Sequence, residues 1–327
     1  MDKIDPKRSY RHSRILRRRS VVLLGLVFLL CSCAPFRSYQ PDARPTPVDG
    51  AKHVVVLGDP HYPGKYPESK EAVIRSINGW PDVALVAVVG DLNEDIGRPT
   101  EYEAAKAFFS NLQKPTAFIV GNHDYWYEDT KGEGNQRVMA GAQTRQEKLD
   151  RFRAAFEMKD LYYSKRLGGY LLVFLSPDHL TSRDFSEMSP AQVEWFKAEL
   201  ERNRDLPTIV FFHAPLQGTL ESYDVPKFVA KPDDIIENIL SVNPQVFLWV
   251  SGHVHLSVRN TSYPGGDKLF LGRVRSVSVP DMNRWTMWTT SLYLYPERVE
   301  VRTWNHRWGF WESQKDLTVA SPIKAKP

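Results

Sequence analysis

The 327 residues are 42% hydrophobic and 25% charged, an ordinary globular composition with enough chain for one large or two modest domains. The net charge of +4 is unevenly placed: residues 1–32 hold eight Lys or Arg and two acidic residues, a local +6 that leaves about −2 for the remainder. The remainder therefore lacks the basic surface expected of a nucleic-acid-binding protein.

The N-terminus is predicted to be an export signal. Three arginines at 17–19 precede an apolar run at 21–30, which is too short to span a bilayer and has the length of a signal-peptide core. The following Leu-Cys-Ser-Cys at 30–33 resembles a bacterial lipobox, which implies cleavage before Cys33 and lipidation of that residue. An ordinary signal peptide cut nearby and a short uncleaved anchor are the alternatives. We expect a signal peptide over 1–32 and an exported, membrane-anchored lipoprotein of the bacterial cell envelope.

A proline-rich tether is predicted to follow at 33–51, then a single domain at 52–315 and a C-terminal tail at 316–327. The only cysteines are Cys31 and Cys33. The domain can therefore contain neither a disulfide nor a thiolate metal ligand.

Within the domain, short apolar runs alternate with helical patterns. Runs such as 84–89 show no polar alternation, which predicts strands buried on both faces by helices. After about residue 265 the pattern changes to strands, which indicates a second sheet packed on the first. The predicted strands are 53–58, 83–89, 116–120, 170–175, 207–212, 246–250, 269–271, 289–295 and 299–304, and the predicted helices are 67–79, 100–113, 143–157, 189–203 and 231–241.

Metal-capable side chains follow five consecutive predicted strands. Taken one at a time, these segments have simple structural interpretations. Gly-Asp after a strand is usually a turn, Asn-His usually lies in a surface loop, and His213 alone would be interpreted as a buried core histidine. Together and in order they favour one site, because open α/β sheets bind ligands at the carboxyl ends of their strands. An all-nitrogen-and-oxygen donor set suits Mn, Fe, Zn or Ni. The segments are Asp59-Pro60-His61, Gly90-Asp91, Gly121-Asn122-His123-Asp124, His213 and Gly252-His253-Val254-His255.

This series resembles the motifs of the calcineurin-like metallophosphoesterases, and among them exported members similar to cyclic-nucleotide phosphodiesterases. The resemblance implies an α/β fold, a four-layer α/β/β/α sandwich of two packed mixed sheets. It also implies two divalent metal ions: one held by Asp59, His61 and His255, the other by Asn122, His213 and His253, with Asp91 bridging them.

The same resemblance implies a mechanism. A hydroxide bridging the two metals would attack phosphorus, and His123 would be the catalytic acid. The family usually orients this histidine with an acid three residues after the bridging aspartate, which is Glu94 here; Asp95 and Asp124 are alternatives.

We therefore expect a metal-dependent hydrolase of small-molecule phosphate mono- or diesters, with diesters slightly favoured. One alternative is a non-catalytic metal-binding lipoprotein, against which the complete ligand set and His123 argue. The other is a nuclease, against which the charge of the domain argues. The sequence does not indicate an oligomeric state.

Overall fold

The computed structural model describes residues 40, 43–220 and 223–326. The predicted signal peptide, Cys33 and the first part of the tether lie outside these residues. Within the described part, no helix combines the length and apolar character needed to cross a membrane.

Strands and helices are interspersed up to residue 251, and strands dominate afterwards. The strands are β1 Lys52–Leu57, β2 Val83–Val89, β3 Thr116–Ile119, β4 Tyr163–Leu167, β5 Tyr170–Phe174, β6 Thr208–Phe211, β7 Val246–Ser251, β8 Arg275–Ser278, β9 Trp288–Tyr295, β10 Arg298–Asn305, β11 Phe310–Trp311 and β12 Leu317–Ala320. The α-helices are α1 Pro67–Asn78, α2 Pro99–Phe109, α3 Asn122–Tyr125, α4 Ala142–Ala155, α5 Pro190–Arg202 and α6 Asp233–Ser241.

Both sheets are mixed. The first has the order β11-β10-β9-β1-β2-β3, with β12 paired to β10; β1 runs parallel to β2 and antiparallel to β9. The second has the order β4-β5-β6-β7-β8, in which only the β4–β5 pair is antiparallel. In each sheet the parallel strands bring their carboxyl ends to one edge, where the predicted site residues follow them.

Three apolar layers hold the sheets and helices together. They form because successive side chains of a strand point to opposite faces of the sheet, so one strand can contribute to two layers. On β1, Val54 and Val56 face the second sheet, whereas Val55 and Leu57 face α1, α2 and α4. The outer face of the second sheet packs on α5 and α6 through residues such as Phe196 and Ile236. The result is the helix–sheet–sheet–helix sandwich that the resemblance implied, so the predicted fold class is confirmed.

The prediction of a strand at 269–271 is wrong. This segment is a tight turn in which Phe270 pairs with Val274, while Leu271 and Gly272 take positive φ angles of 50° and 69°. The true edge strand is β8, a few residues later. In addition, the segment assigned as a C-terminal tail contributes β12, which pairs antiparallel with β10.

Candidate metal centre

Five loops at the carboxyl ends of the strands bring the predicted ligands together. One nitrogen or oxygen from each of four residues lies within 4.8 Å of the others, and the same holds for a second group of three. Asp91 belongs to both groups and is buried between them. The first group is Asp59, His61, Asp91 and His255; the second is Asp91, His213 and His253.

Asn122 lies beside the second group. Its Oδ1 is 3.1 Å from His213 Nε2. The Asp91 carboxylate reaches both sides of the cluster, with Oδ2 at 3.6 Å from His61 Nε2 and Oδ1 at 3.4 Å from His213 Nε2. The structure thus gathers all seven residues that the sequence predicted as ligands, and their binding of metal stays a prediction.

The backbone of the cluster is strained. Five of the seven residues have φ between 42° and 66°, in the left-handed region that non-glycine residues seldom occupy. Each such conformation costs about 1–3 kcal/mol, so the surrounding fold must impose it, as is common at functional sites. These residues are Asp59, His61, Asp91, His253 and His255.

Two glycines in the motifs are explained by close packing on the ligands. A methyl group on Gly121 would lie 2.2 Å from the Asp91 nitrogen, and one on Gly90 would lie 2.4 Å from His213 Nδ1. Gly90 also has φ of 90°, which suits glycine. Larger residues at these positions would displace Asp91 or His213.

Main-chain carbonyls orient three of the histidines. His61 Nδ1 lies 3.2 Å from Asn93 O, His213 Nδ1 lies 2.8 Å from Val89 O, and His253 Nε2 lies 3.0 Å from Lys227 O. Since a carbonyl only accepts, these nitrogens carry the hydrogen, and in the neutral form of each ring the opposite nitrogen presents its lone pair to the cluster.

The inward nitrogens fit a cation. His61 Nε2 is 3.2 Å from His255 Nε2, and His213 Nε2 is 3.1 Å from His253 Nδ1. Where both nitrogens present lone pairs, such a contact is repulsive unless a positive charge lies between them. With two buried carboxylates added, the donors match the nitrogen-and-oxygen set that divalent transition metals bind.

Burial and neighbouring charges shift the pKa values of this cluster. Some carboxyl and imidazole groups have a raised pKa, and others have a lowered one. Burial raises the pKa of Asp59 to about 7 and lowers that of His253 to about 3. For Asp91, burial acts to raise the pKa, but His213 and His123 outweigh it and hold the pKa well below its usual range. Burial opposes protonation of His213, yet Asp91 raises its pKa to about 9. Metal binding would therefore release protons from this cluster.

His123 stands at the edge of the cluster, partly exposed. Its ring is perpendicular to that of His61, with 4.7 Å between centroids, and its backbone N–H donates to Asp91 Oδ1 at 2.7 Å. Its Nδ1 lies 2.5 Å from the main-chain oxygen of Asp95. Burial lowers the pKa of His123.

The partner predicted for His123 is different in the structure. Glu94 is exposed, and no hydrogen bond joins it to His123 among the described residues. The reason lies in the turn after β2: the N–H groups of Asp95, Ile96 and Gly97 all donate to Glu101 Oε2, at 2.9–3.1 Å. With the turn fixed in this way, the Asp95 carbonyl meets the His123 ring and the Glu94 side chain faces solvent.

Asp124, the other alternative, has a structural role. Its Oδ1 accepts hydrogen bonds from Leu92 N and from both nitrogens of Asn93, and its Oδ2 accepts one from Gly121 N, all at 2.8–3.0 Å. The carboxylate thus joins the loop after β2 to the loop after β3.

The sequence analysis missed Asp281 and Arg284, which support the site from the loop after β8. Asp281 Oδ1 lies 3.9 Å from His255 Nδ1, and Asp281 Oδ2 accepts from Arg284 Nε at 2.6 Å. Arg284 also donates to the His255 carbonyl at 2.5 Å. Asp281 could have been found because it closely follows a strand, but the sequence analysis did not predict β8.

Comparisons with known proteins agree with this geometry. The family described as calcineurin-like phosphoesterase matches residues 52–257. A 3',5'-cyclic-nucleotide phosphodiesterase of Nostoc is 23% identical over 193 residues, which cover 59% of this chain and 64% of the relative, just under two thirds of its length.

Two solved structures share the fold. A dimetal phosphatase from Danio rerio superimposes with a TM-score of 0.59 at 14% identity, over 84% of this chain and all of the other. A purple acid phosphatase from yellow lupin seeds has a TM-score of 0.58 at 14% identity, over 85% of this chain and 55% of the other. These structures support the architecture, and the family match extends over more than half of the sequence. The chain therefore belongs to the calcineurin-like phosphoesterase family.

Proposed function

We propose that this protein is a metal-dependent phosphoesterase that hydrolyses phosphate mono- or diesters of small molecules. The observation that carries the proposal is the pair of donor groups that share Asp91, with His123 beside them. Family membership supports the same reaction class.

The residues present fit two divalent cations such as Mn, Fe, Zn or Ni. Two such ions would polarise the phosphoryl group and supply a nucleophilic water at neutral pH. One would be held by Asp59, His61 and His255, and the other by Asn122, His213 and His253. Asp91, whose oxygens face both groups, would be shared.

His123 is the proposed catalytic acid. Because its Nδ1 is committed to the Asp95 carbonyl, Nε2 is the nitrogen free to act on substrate. As water adds to phosphorus and the bond to the leaving oxygen breaks, His123 in its imidazolium form would donate the Nε2 proton to that oxygen, and the proton lost by the attacking water would restore the imidazolium. The partly exposed position of the ring suits contact with a substrate.

Two further parts of the proposal concern substrate and location. The similarity to a Nostoc cyclic-nucleotide phosphodiesterase supports a preference for diesters. We also propose that the protein is exported and anchored through lipidated Cys33. The support for this is the sequence of residues 17–33, which lie outside the described structure.

The test uses the full chain, stripped of metal and reloaded with Mn²⁺, acting on p-nitrophenyl phosphate and on bis-p-nitrophenyl phosphate. We expect metal-dependent turnover of these esters, and for phenyl phosphate, whose more basic leaving oxygen depends on the acid, we expect turnover to fall by about 10²–10⁴-fold in His123→Ala. His179→Ala is the matched control, because His179 lies on another loop, in a cavity lined by α4 and α5 residues, and should leave turnover unchanged. Bound metal without turnover of either ester would instead favour the non-catalytic metal-binding protein.

A further inference from the structure

Asp95 connects His123 to a loop that has no role in the proposed catalytic step. The main-chain oxygen of Asp95 holds His123 Nδ1, while its side chain points to the loop between Tyr127 and Met139. There, Lys131 Nζ lies 2.6 Å from Asp95 Oδ2, and Arg137 Nε lies 2.7 Å from Asp95 Oδ1. Each carboxylate oxygen is therefore bound by a different cation.

The loop is built to present these two cations. Tyr127 and Met139 pair as a β-bridge at its base. Further out, Glu128 N donates to Val138 O at 2.8 Å, and Gly132 N donates to Gln136 O at 2.9 Å. The loop is thus closed on itself, and Lys131 and Arg137 lie on its two arms.

This ion-pair group differs from an ordinary surface salt bridge. Isolated exposed pairs contribute about 0–1 kcal/mol, because two long side chains are ordered in a high dielectric. Here two cations share one carboxylate that is only 19% exposed. Burial acts to raise the pKa of Asp95, but the hydrogen bonds from Lys131 and Arg137 outweigh it and lower the pKa, so the group stays ionised at neutral pH.

A second contact runs from the same loop to the catalytic histidine. The Tyr127 ring lies 5.4 Å from the His123 ring, and the Arg137 guanidinium carbon lies 5.5 Å from the Tyr127 ring. Arg137 thus reaches His123 both through Asp95 and through Tyr127. We therefore expect a substitution of Arg137 to change the orientation of the His123 imidazole.

We propose that Lys131 and Arg137 are positioning residues: by holding the Asp95 carboxylate, they fix the carbonyl that orients His123 for proton donation. The inference rests on the proposed function of His123 as the acid. The Asp95 carbonyl, held in place by Lys131 and Arg137, would then orient His123. The family resemblance had implied a carboxylate in this role.

The experiment compares two esters that share a phosphoryl group and differ in the leaving group. p-Nitrophenolate leaves with little need of a proton, whereas phenolate is more basic and depends more on the acid. In the full, Mn²⁺-loaded chain carrying Lys131→Gln and Arg137→Gln, we expect kcat for phenyl phosphate to fall about tenfold or more and kcat for p-nitrophenyl phosphate to fall less than about threefold.

Two variants sharpen the comparison. Arg137→Lys with Lys131 intact should restore most of the phenyl phosphate activity. Arg202→Gln, which removes an exposed arginine paired with Glu199 on α5, should change neither kcat. An equal rise in KM for both esters would show that Arg137 binds substrate directly and would overturn the proposal, as would unchanged kinetics.

A readout independent of turnover separates this proposal from the proposed function. In the metal-free full chain labelled with ¹⁵N-histidine, we expect His123 to be the Nδ1–H tautomer, assigned by loss of its signal in His123→Gln. The double variant should show a mixture of tautomers; an unchanged tautomer would contradict positioning by the two cations. If wild type hydrolyses neither ester, the proposed function fails, and the tautomer measurement still decides the role of Lys131 and Arg137.

Discussion

Gly252 packs so closely on the Asp59 carboxylate that a methyl group on Gly252 would lie 2.4 Å from Asp59 Oδ2. The carboxylate is also held by the His253 N–H, which lies 2.9 Å from Oδ1 and 3.1 Å from Oδ2. The first loop and the last loop of the candidate centre therefore meet at this contact, which leaves no space for a side chain at position 252.

Gly252→Ala should consequently displace Asp59 and weaken the site. We expect a loss of metal-dependent turnover of at least about tenfold, because small displacements at a reacting centre are costly. Gly141→Ala is the control, since Gly141 has no atom within 4 Å of an added methyl group and no positive φ. Equal activity of the two variants would show that the contact with Asp59 does not matter.

Asp124→Asn should destabilise the fold. The substitution keeps the shape but replaces an acceptor oxygen by an NH₂ group that faces main-chain N–H donors. Since a buried N–H group left without an acceptor costs about 1–3 kcal/mol, we expect the free energy of unfolding in urea to fall by about that amount. Asp205→Asn, at an exposed position, should be neutral. A loss below about 0.5 kcal/mol in Asp124→Asn would contradict the role assigned to this carboxylate.

Asp281→Asn should weaken metal binding without removing a proposed ligand. The Asp281 carboxylate faces His255 Nδ1, the nitrogen opposite the one that points into the cluster. Loss of such a supporting partner typically costs 10–100-fold, or about 1.4–2.7 kcal/mol, in metal affinity. Calorimetric titration of the metal-free chain with Mn²⁺ measures this directly, and an unchanged dissociation constant would exclude the supporting role.

His306 should make the fold sensitive to acid. It is buried, stacks on Trp80 with 5.5 Å between ring centroids and pairs through Nε2 with Thr289 Oγ1 at 2.9 Å. Burial lowers its pKa to about 3, whereas the unfolded chain takes up this proton near pH 6.5. The unfolded state therefore binds more protons between these values, and stability falls as pH decreases from about 6.5 towards 3.

The variant His306→Phe, which can keep the stacking on Trp80, isolates this effect. Between pH 7.5 and pH 5 we expect wild type to lose about 2 kcal/mol of unfolding free energy more than the variant does, at about 1.4 kcal/mol per pH unit below 6.5. Urea unfolding of both proteins, free of metal, supplies the comparison. A difference that stays constant with pH would mean that His306 is not held neutral.

The sequence predicted structure correctly where apolar residues form continuous runs and where polar residues follow those runs. The run Val83–Val89 was predicted with its correct bounds because every residue is apolar, and the site histidines were found because they follow such runs. By contrast, β4 has the polar sequence Tyr-Ser-Lys-Arg-Leu, and only the Gly168-Gly169 turn after it, with two positive φ angles, signals a hairpin.

The parts of the site that were missed lack such a signature. The partner of His123 is a main-chain carbonyl, a group that every residue carries, so no residue type in the sequence marks it. Asp281 reaches His255 only because β8 is placed at the edge of the second sheet, beside β7. Both depend on tertiary arrangement, which periodicity and motif spacing do not encode.

The proposed metal centre depends on Asp91, which would be shared by two metal ions. The most direct test is the metal content of the full chain after dialysis against trace Mn²⁺ or Zn²⁺, measured by elemental mass spectrometry for wild type and for Asp91→Ala. We expect two ions per wild-type chain and the loss of both, or a large fall in both affinities, in the variant. A single ion in wild type, or two ions retained in Asp91→Ala, would contradict it.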